Sequence, residues 1–315
     1  MTRFRHLVHA DWSLRPQGRW QASARRVGER WRVAPPRPVG VVETFVAGIL
    51  AECDDGAALL GVDLPIGAPR AWAARAAVAD FLTALRTFGE GAWRDVYRPA
   101  ERPEEVSPYR PFYPARPGGT AQAHLVAGVG VAGMTDLRRW CEFSEAGRGA
   151  ATPVFWTLGG AQVGKAAGAF WRDVLQPGLA AGRIAVWPFE GALEALAAPG
   201  RVAVAETYPA EVYRWFDLAI RQPRRSKRRL EDRRADGPRL LAAGAALGAD
   251  FAPEAATAIR EGFPEGGEDA FDATVGLIAL LAIVAGARAP NDPDDPVVRR
   301  IEGWILGRKP GPRPY

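Results

Sequence analysis

Four acidic residues stand at the ends of apolar runs. Asp11 follows Leu7-Val8-His9-Ala10, Asp63 follows Ala57-Ala58-Leu59-Leu60-Gly61-Val62, Glu206 follows Val202-Ala203-Val204-Ala205, and Asp272 opens Ala273-Thr274-Val275-Gly276-Leu277-Ile278-Ala279. A carboxylate at the edge of a buried strand or helix needs a partner, because an isolated charge in apolar surroundings is expensive. Four of them converging would hold divalent metal. Asp269 lies three residues before Asp272, so a helix containing both presents them on one face. Taken singly, each acid also has an ordinary reading as a turn former or helix cap.

The elements that must position these groups follow from periodicity. Leu7 to Ser13, Arg19 to Val27 and Glu29 to Ala34 read as three antiparallel strands, and Val41 to Cys53 as a helix. Ala57 to Leu64 reads as a further apolar strand, Arg201 to Glu206 as another, and Asp269 to Gly286 as the longest apolar helix. A helical crossover between buried strands implies parallel pairing, so the expected fold is α/β, three antiparallel strands followed by parallel ones with helices on the faces. Asp11 and Asp63 would then lie on adjacent strands at their carboxyl ends, where open α/β sheets place ligands.

Regularity falls away after Pro65, and a structureless loop of that length would be unusual. The expected division is therefore a core of residues 1–69 and 198–307, an inserted cap or lid of residues 70–197, and a flexible tail of residues 308–315. With 48% apolar residues the chain has ample material for a buried core. Cys53 and Cys141 are the only cysteines, which excludes a disulfide framework and a cysteine-based zinc site and fits a reducing, cytoplasmic setting. The N-terminal residues reach Asp11 before any stretch long enough for a signal peptide, and Ala273 to Ala287 is short for a membrane span, so no membrane association is expected.

The pattern His9-Ala10-Asp11-Trp12-Ser13, Gly61-Val62-Asp63-Leu64-Pro65-Ile66-Gly67, Gly159-Gly160-Ala161-Gln162-Val163-Gly164, Glu206-Thr207-Tyr208-Pro209 and Asp269-Ala270-Phe271-Asp272-Ala273 resembles the predicted RNase H-like nuclease family also called domain of unknown function 429. The resemblance covers most of the chain. It implies an RNase H-like fold in which carboxylates from the first strand, the fourth strand, a fifth-strand edge and the last helix meet at one site. It further implies a nuclease or phosphodiesterase that uses two Mg²⁺ or Mn²⁺ ions on a nucleic acid or nucleotide-like substrate. In-line phosphodiester hydrolysis develops charge on the entering and leaving oxygens, and two oxygen-ligated ions stabilise both. Asp11 would bridge the ions, Asp63 and Asp272 would complete their shells, and Glu206 or Asp269 would add a ligand or orient the attacking water.

Residues 221–239 hold nine Arg or Lys against Glu231, Asp232 and Asp236, so the net charge of +5 is concentrated there. Arg224, Arg228 and above all Lys227 could contact phosphate, the lysine reaching the reacting group; a solvated helix face is the alternative. Arg110 and Arg116, among the aromatic and proline residues of the expected cap, could pair with phosphate or simply pack a lid. Gly159 to Lys165 fits most of a phosphate-binding loop, but Ala166 stands where the Mg²⁺-binding Ser or Thr belongs. Two other function classes remain open: a nucleotide-binding phosphotransferase or ATPase on the related actin-like variation of the fold, and a noncatalytic binding module that keeps the acidic pocket.

Overall fold

Strands whose consecutive residues are all buried belong to a sheet covered on both faces, and the chain contains several. The computed structural model describes residues 2–53, 56–145, 148–158 and 163–313. From the N-terminus run β1 (Phe4–Asp11), β2 (Trp20–Val27), β3 (Arg30–Val33), β4 (Arg37–Pro38), α1 (Val42–Ala51) and β5 (Ala57–Val62). Short helices follow: α2 (Arg70–Arg75), α3 (Phe81–Leu85), α4 (Gln122–Val129), α5 (Val163–Phe170) and α6 (Gln176–Ala180). The chain closes through β6 (Ile184–Val186), β7 (Val202–Glu206), α7 (Pro209–Trp215), α8 (Leu230–Ala246), β8 (Ala249–Phe251), α9 (Pro253–Arg260) and α10 (Gly267–Val284).

The strands form one mixed sheet in the order β6-β7-β5-β1-β2-β3-β8, with β4 beside β2. β1, β2 and β3 are antiparallel neighbours, while β5, β7 and β6 extend the other side of β1 in parallel. Every residue of β5 and β7 is buried, as parallel strands between two helical layers require. The expected antiparallel-then-parallel α/β sheet is therefore present. Three strands are additional to the expectation. β4, β6 and β8 are two or three residues long, too short to show a period.

The chain divides into two units. The first takes the residues through Asp63, Arg183–Val186 and Leu193–Pro290, and it contains the whole sheet. The second takes Leu64–Gly182, Trp187–Ala192 and the residues from Asn291 onward. These boundaries differ from a core of residues 1–69 and 198–307 around an insertion of residues 70–197. β6 lies inside the expected insertion yet pairs in parallel with β7. The residues after Asn291 group with the second unit because a buried ionic network ties them there. Glu302 accepts from Arg70 Nε at 2.7 Å and from the Trp140 amide at 3.1 Å, and its carbonyl accepts from Arg139 Nη1 at 3.1 Å.

The expected flexible tail is likewise anchored over its described part. Arg308 is only 2% exposed and pairs with Glu145 at 2.7 Å, Arg313 pairs with Asp295 at 2.7 Å, and Trp140 Nε1 donates to the Pro312 carbonyl. Proline and arginine suppress any apolar period, but arginines can fix a segment through fork-shaped hydrogen bonds that no period reveals. Residues 314 and 315 lie outside the described residues.

Within the first unit, α10 packs across β1 and β2 and against α7 and α8. Phe271, Val275 and Ile278 join Val212, Leu240, Ile259 and Phe263 in one buried cluster beneath these helices. The opposite face of β1 meets α1, where His6 Nδ1 lies 3.2 Å from the Ile49 carbonyl. Side chains alternate along a strand, so His6, Val8 and Ala10 face α1 while Leu7, His9 and Asp11 face α10. His9 is wholly buried in that second layer, and a Cβ on Gly276 would lie 2.1 Å from its Nε2. Only glycine lets α10 approach β1 this closely. Gly276→Ala is expected to destabilise the fold by at least about 1–3 kcal/mol, the range for overpacking a filled core. Urea unfolding checks this, and a neutral substitution would show that α10 is not held against His9.

Candidate metal centre

Asp11 ends β1, and Asp63 directly follows Val62, the last residue of β5. The ladder continues one step past β5, because the Asp63 amide donates to the Ala10 carbonyl at 3.2 Å. The two carboxylates thus stand side by side at the carboxyl ends of adjacent parallel strands. α10 supplies the others. Its first turn starts at Gly266 with φ 74°, where a Cβ would lie 2.5 Å from the Trp20 ring. Glycine there lets the helix begin against Trp20, the partner of Asp11 across the β1–β2 ladder, and so delivers Asp269 and Asp272 over the end of β1.

One carboxylate oxygen from each of Asp11, Asp63 and Asp272 lies within 4.8 Å of the other two. Among the described residues this is the group of acids close enough to share a metal ion. Asp272 is 1% exposed, and both of its oxygens are engaged: Oδ1 accepts from the Tyr213 hydroxyl and Oδ2 from Lys227 Nζ. Asp269 acts on Asp11 as a nearby like charge.

Burial and mutual repulsion set the protonation of the site. Burial, reinforced by the charges of Asp63, Asp272 and Asp269, pushes the Asp11 carboxyl up to about 9 against the opposing pull of Lys227. Burial and the charge of Asp272 push Asp63 up to about 7, with Glu206 adding a smaller repulsion. Asp272 and Asp269 also stand above the ordinary carboxylate range, burial being the main cause for each. Burial alone would lower Lys227, but the carboxylates of Asp272, Asp63 and Asp11 outweigh it and hold the ammonium above its ordinary value. Tyr213 is raised by burial and by the charge of Asp272, so it remains a hydrogen-bond donor.

Lys227 is delivered by the basic segment in a way the composition does not reveal. Asp232 accepts from the Ser226 amide at 2.9 Å and from Arg225 at 2.8 Å, while buried Arg233 donates to the Lys227 carbonyl at 2.6 Å. The acids that looked like diffuse neutralisation thus pin the loop before α8. Lys227 was expected to face phosphate, and in this structure its direct partner is Asp272. Arg228 is 82% exposed and lies 3.8 Å from Glu268; the carbonyl of Arg224 accepts from Arg229.

Glu206 ends β7 opposite Val62, so by alternation it points to the other face of the sheet from Asp63. It is buried and acts on Asp63 as a nearby like charge, outside the group of three. Arg110 and Arg116 belong to the second unit, where Arg110 pairs with Glu105 and Arg116 with Glu101. Residues 159–162 of the glycine-rich segment lie outside the described residues. Lys165, the lysine of that pattern, donates to the Ala115 carbonyl at 2.6 Å.

Three participants carried no sequence signal of their own. Tyr213 sits on a seven-residue helix of mixed character, with nothing to set it apart from a packing tyrosine. His9 and Thr207, both inside the quoted motifs, are hydrogen-bonded at 2.7 Å and tie β1 to the residue after β7. No family model, no curated protein and no solved structure matches the chain.

The raised carboxyls make a signed prediction about stability. In the unfolded chain Asp11 and Asp63 lose their protons near the ordinary 3.8, whereas the folded chain keeps them to about 9 and about 7. The folded state therefore binds more protons throughout that window, and stability falls as pH rises through it. Lys227 stays charged in both states below about 10 and leaves the sign unchanged. In chelator, the urea midpoint should be lower at pH 8.5 than at pH 5.5, and Asp11→Asn should raise stability at pH 8.5 by about 0.5–2 kcal/mol. A midpoint that rises with pH would mean the carboxylates are ionised and well partnered.

Proposed function

We propose that this chain is a metal-dependent hydrolase of the RNase H-like class, acting on a phosphodiester in nucleic acid or a nucleotide-like molecule. The observation that carries the reading is the convergence of Asp11, Asp63 and Asp272 within 4.8 Å at the carboxyl ends of neighbouring parallel strands. The donor set fits the proposed ions: it is all oxygen and negatively charged, which suits Mg²⁺ or Mn²⁺ and disfavours softer metals. Burial and mutual repulsion raise Asp11 and Asp63, a repulsion that a cation placed among them would relieve.

Two divalent ions, when bound, would stabilise charge on the entering and leaving oxygens of an in-line displacement. Asp11, Asp63 and Asp272 would hold the ions, with Asp269 near Asp11. Tyr213 fixes the orientation of Asp272 by donating to one of its oxygens. Lys227 offers an ammonium beside the carboxylates, close enough to balance a phosphoryl group brought there. Asp269, a half-buried acid beside Asp11, is placed to orient an attacking water.

One observation favours a rival. Lys227 already gives Asp272 a positive partner, as it would in a noncatalytic pocket that needs no metal. A Mn²⁺ titration separates the two readings. At pH 7 binding should release between about one and two protons, because Asp11 and much of Asp63 are protonated beforehand. Asp11→Asn should lose metal binding and cleavage together, while Lys227→Ala should keep metal binding and lose substrate affinity or turnover. Assays against labelled RNA, DNA, RNA–DNA hybrid and a nucleotide panel with Mn²⁺ supply the readout. Absence of metal binding by the wild type would sink the reading, as would undiminished cleavage by Asp11→Asn.

A further inference from the structure

Asp272 stands in the carboxylate group with both of its oxygens already engaged. Oδ1 accepts from the Tyr213 hydroxyl and Oδ2 from Lys227 Nζ. A divalent ion held by Asp11, Asp63 and Asp272 needs one of those oxygens, so a present donor must share it or leave. The two donors are not equivalent. Tyr213 is neutral and can go on donating beside a bound ion, whereas an ammonium and a divalent ion on one carboxylate repel each other.

The surroundings of Lys227 give its ammonium a way out. Its side chain is 40% exposed although the Asp272 side chain it meets is only 2% exposed, so the ammonium reaches the site from the solvent side. Lysine has a flexible four-carbon stem and a strongly hydrated head, so it loses little on returning to water once the carboxylate has another partner. The backbone beneath it is fixed. Asp232 accepts from the Ser226 amide at 2.9 Å, and Arg233 Nη1 donates to the Lys227 carbonyl at 2.6 Å. Movement is thus confined to the side chain, and a freed ammonium stays tethered at the edge of the site. The Tyr213 ring, by contrast, packs on Phe271 with centroids 5.9 Å apart.

We propose that Lys227 is a displaceable counter-ion: it occupies Asp272 until a divalent ion enters, then swings off and becomes the cation offered to the phosphate of the substrate. Metal therefore binds before substrate, because until then Asp272 engages the ammonium. This rests on the metal-dependent reading of the site and adds an order of events to it. The Lys227–Asp272 pair, which by itself would suit a pocket without metal, is the resting state of the exchange.

Lys165, Lys227 and Lys309 are the only lysines, so lysine labelled with ¹³C at Cε gives three NMR signals in the full chain, and Lys227→Gln identifies one of them. Lys165, which donates to the Ala115 carbonyl, and exposed Lys309 serve as a held and a free reference. Saturating Mg²⁺ should move the Lys227 signal towards that of Lys309 and leave Lys165 in place, with the midpoint that calorimetry gives for Mg²⁺ binding. Lys227→Gln, which keeps a hydrogen-bond donor and drops the charge, should bind Mg²⁺ about tenfold more tightly. Dimethyl phosphate should move the Lys227 signal after Mg²⁺ has bound and not before. If neither protein binds Mg²⁺, the metal reading fails and this inference with it. If Mg²⁺ binds while the Lys227 signal stays in place, or if Lys227→Gln binds it no more tightly, the displacement alone is overturned. No response to dimethyl phosphate, or the same response without Mg²⁺, overturns the order of binding.

Discussion

Carboxylates confined in a buried site repel one another, and the first unit holds three of them together all the same. The arrangement persists because each carboxylate is fixed by a contact that does not depend on its charge. Asp11 and Asp63 are set by the β1–β5 ladder, whose last amide bond joins Asp63 to Ala10. Asp272 is set by a helix packed into the apolar layer around Phe271, Val275 and Ile278. The apolar burial that stabilises these elements is large compared with the penalty at the site, so a fold can carry a locally unfavourable cluster. What remains is a deficit of positive charge that Lys227 meets only in part, because one ammonium faces the three carboxylates with Asp269 nearby.

The position of α10 is the variable on which that cluster turns. His9 fills the layer between β1 and the helix, Gly276 admits it, and Thr207 holds the imidazole from the end of β7. At the other end Gly266 lets the helix start against Trp20. Asp272 lies between these two close approaches, six residues after Gly266 and four before Gly276. A change of helix angle large enough to part Asp272 from Asp11 would have to open one of them. The packing thus does for the carboxylate group what supporting contacts do in any preorganised arrangement: it fixes the geometry.

Most of this centre was legible because its elements are long. β5 and β7 show unbroken apolar runs that lead into an acid, β1 is a largely buried strand that ends in one, and α10 shows eighteen residues with acids confined to its start. Adjacent placement of Asp11 and Asp63 follows from one crossover rule. Glu206 was harder, since a strand-end acid can point to either face and only the register with Val62 shows which. β4, β6 and β8 could not be read from fragments of two or three residues, and missing β6 displaced the expected boundary of the insertion. The partners of Tyr213 and Lys227 are tertiary facts. Nothing in the identity of a tyrosine or lysine says which carboxylate it will meet.

The basic segment shows why a charge count is a poor guide to a binding face. Arg225 and Arg229 converge on Asp232, Arg233 is buried and holds the Lys227 and Gly262 carbonyls, and Arg239 reaches Asp236. These cations shape a loop. The one they project, Lys227, ends among carboxylates, while Arg228 remains mostly in solvent. The local charge of the segment thus serves to place one ammonium among the carboxylates.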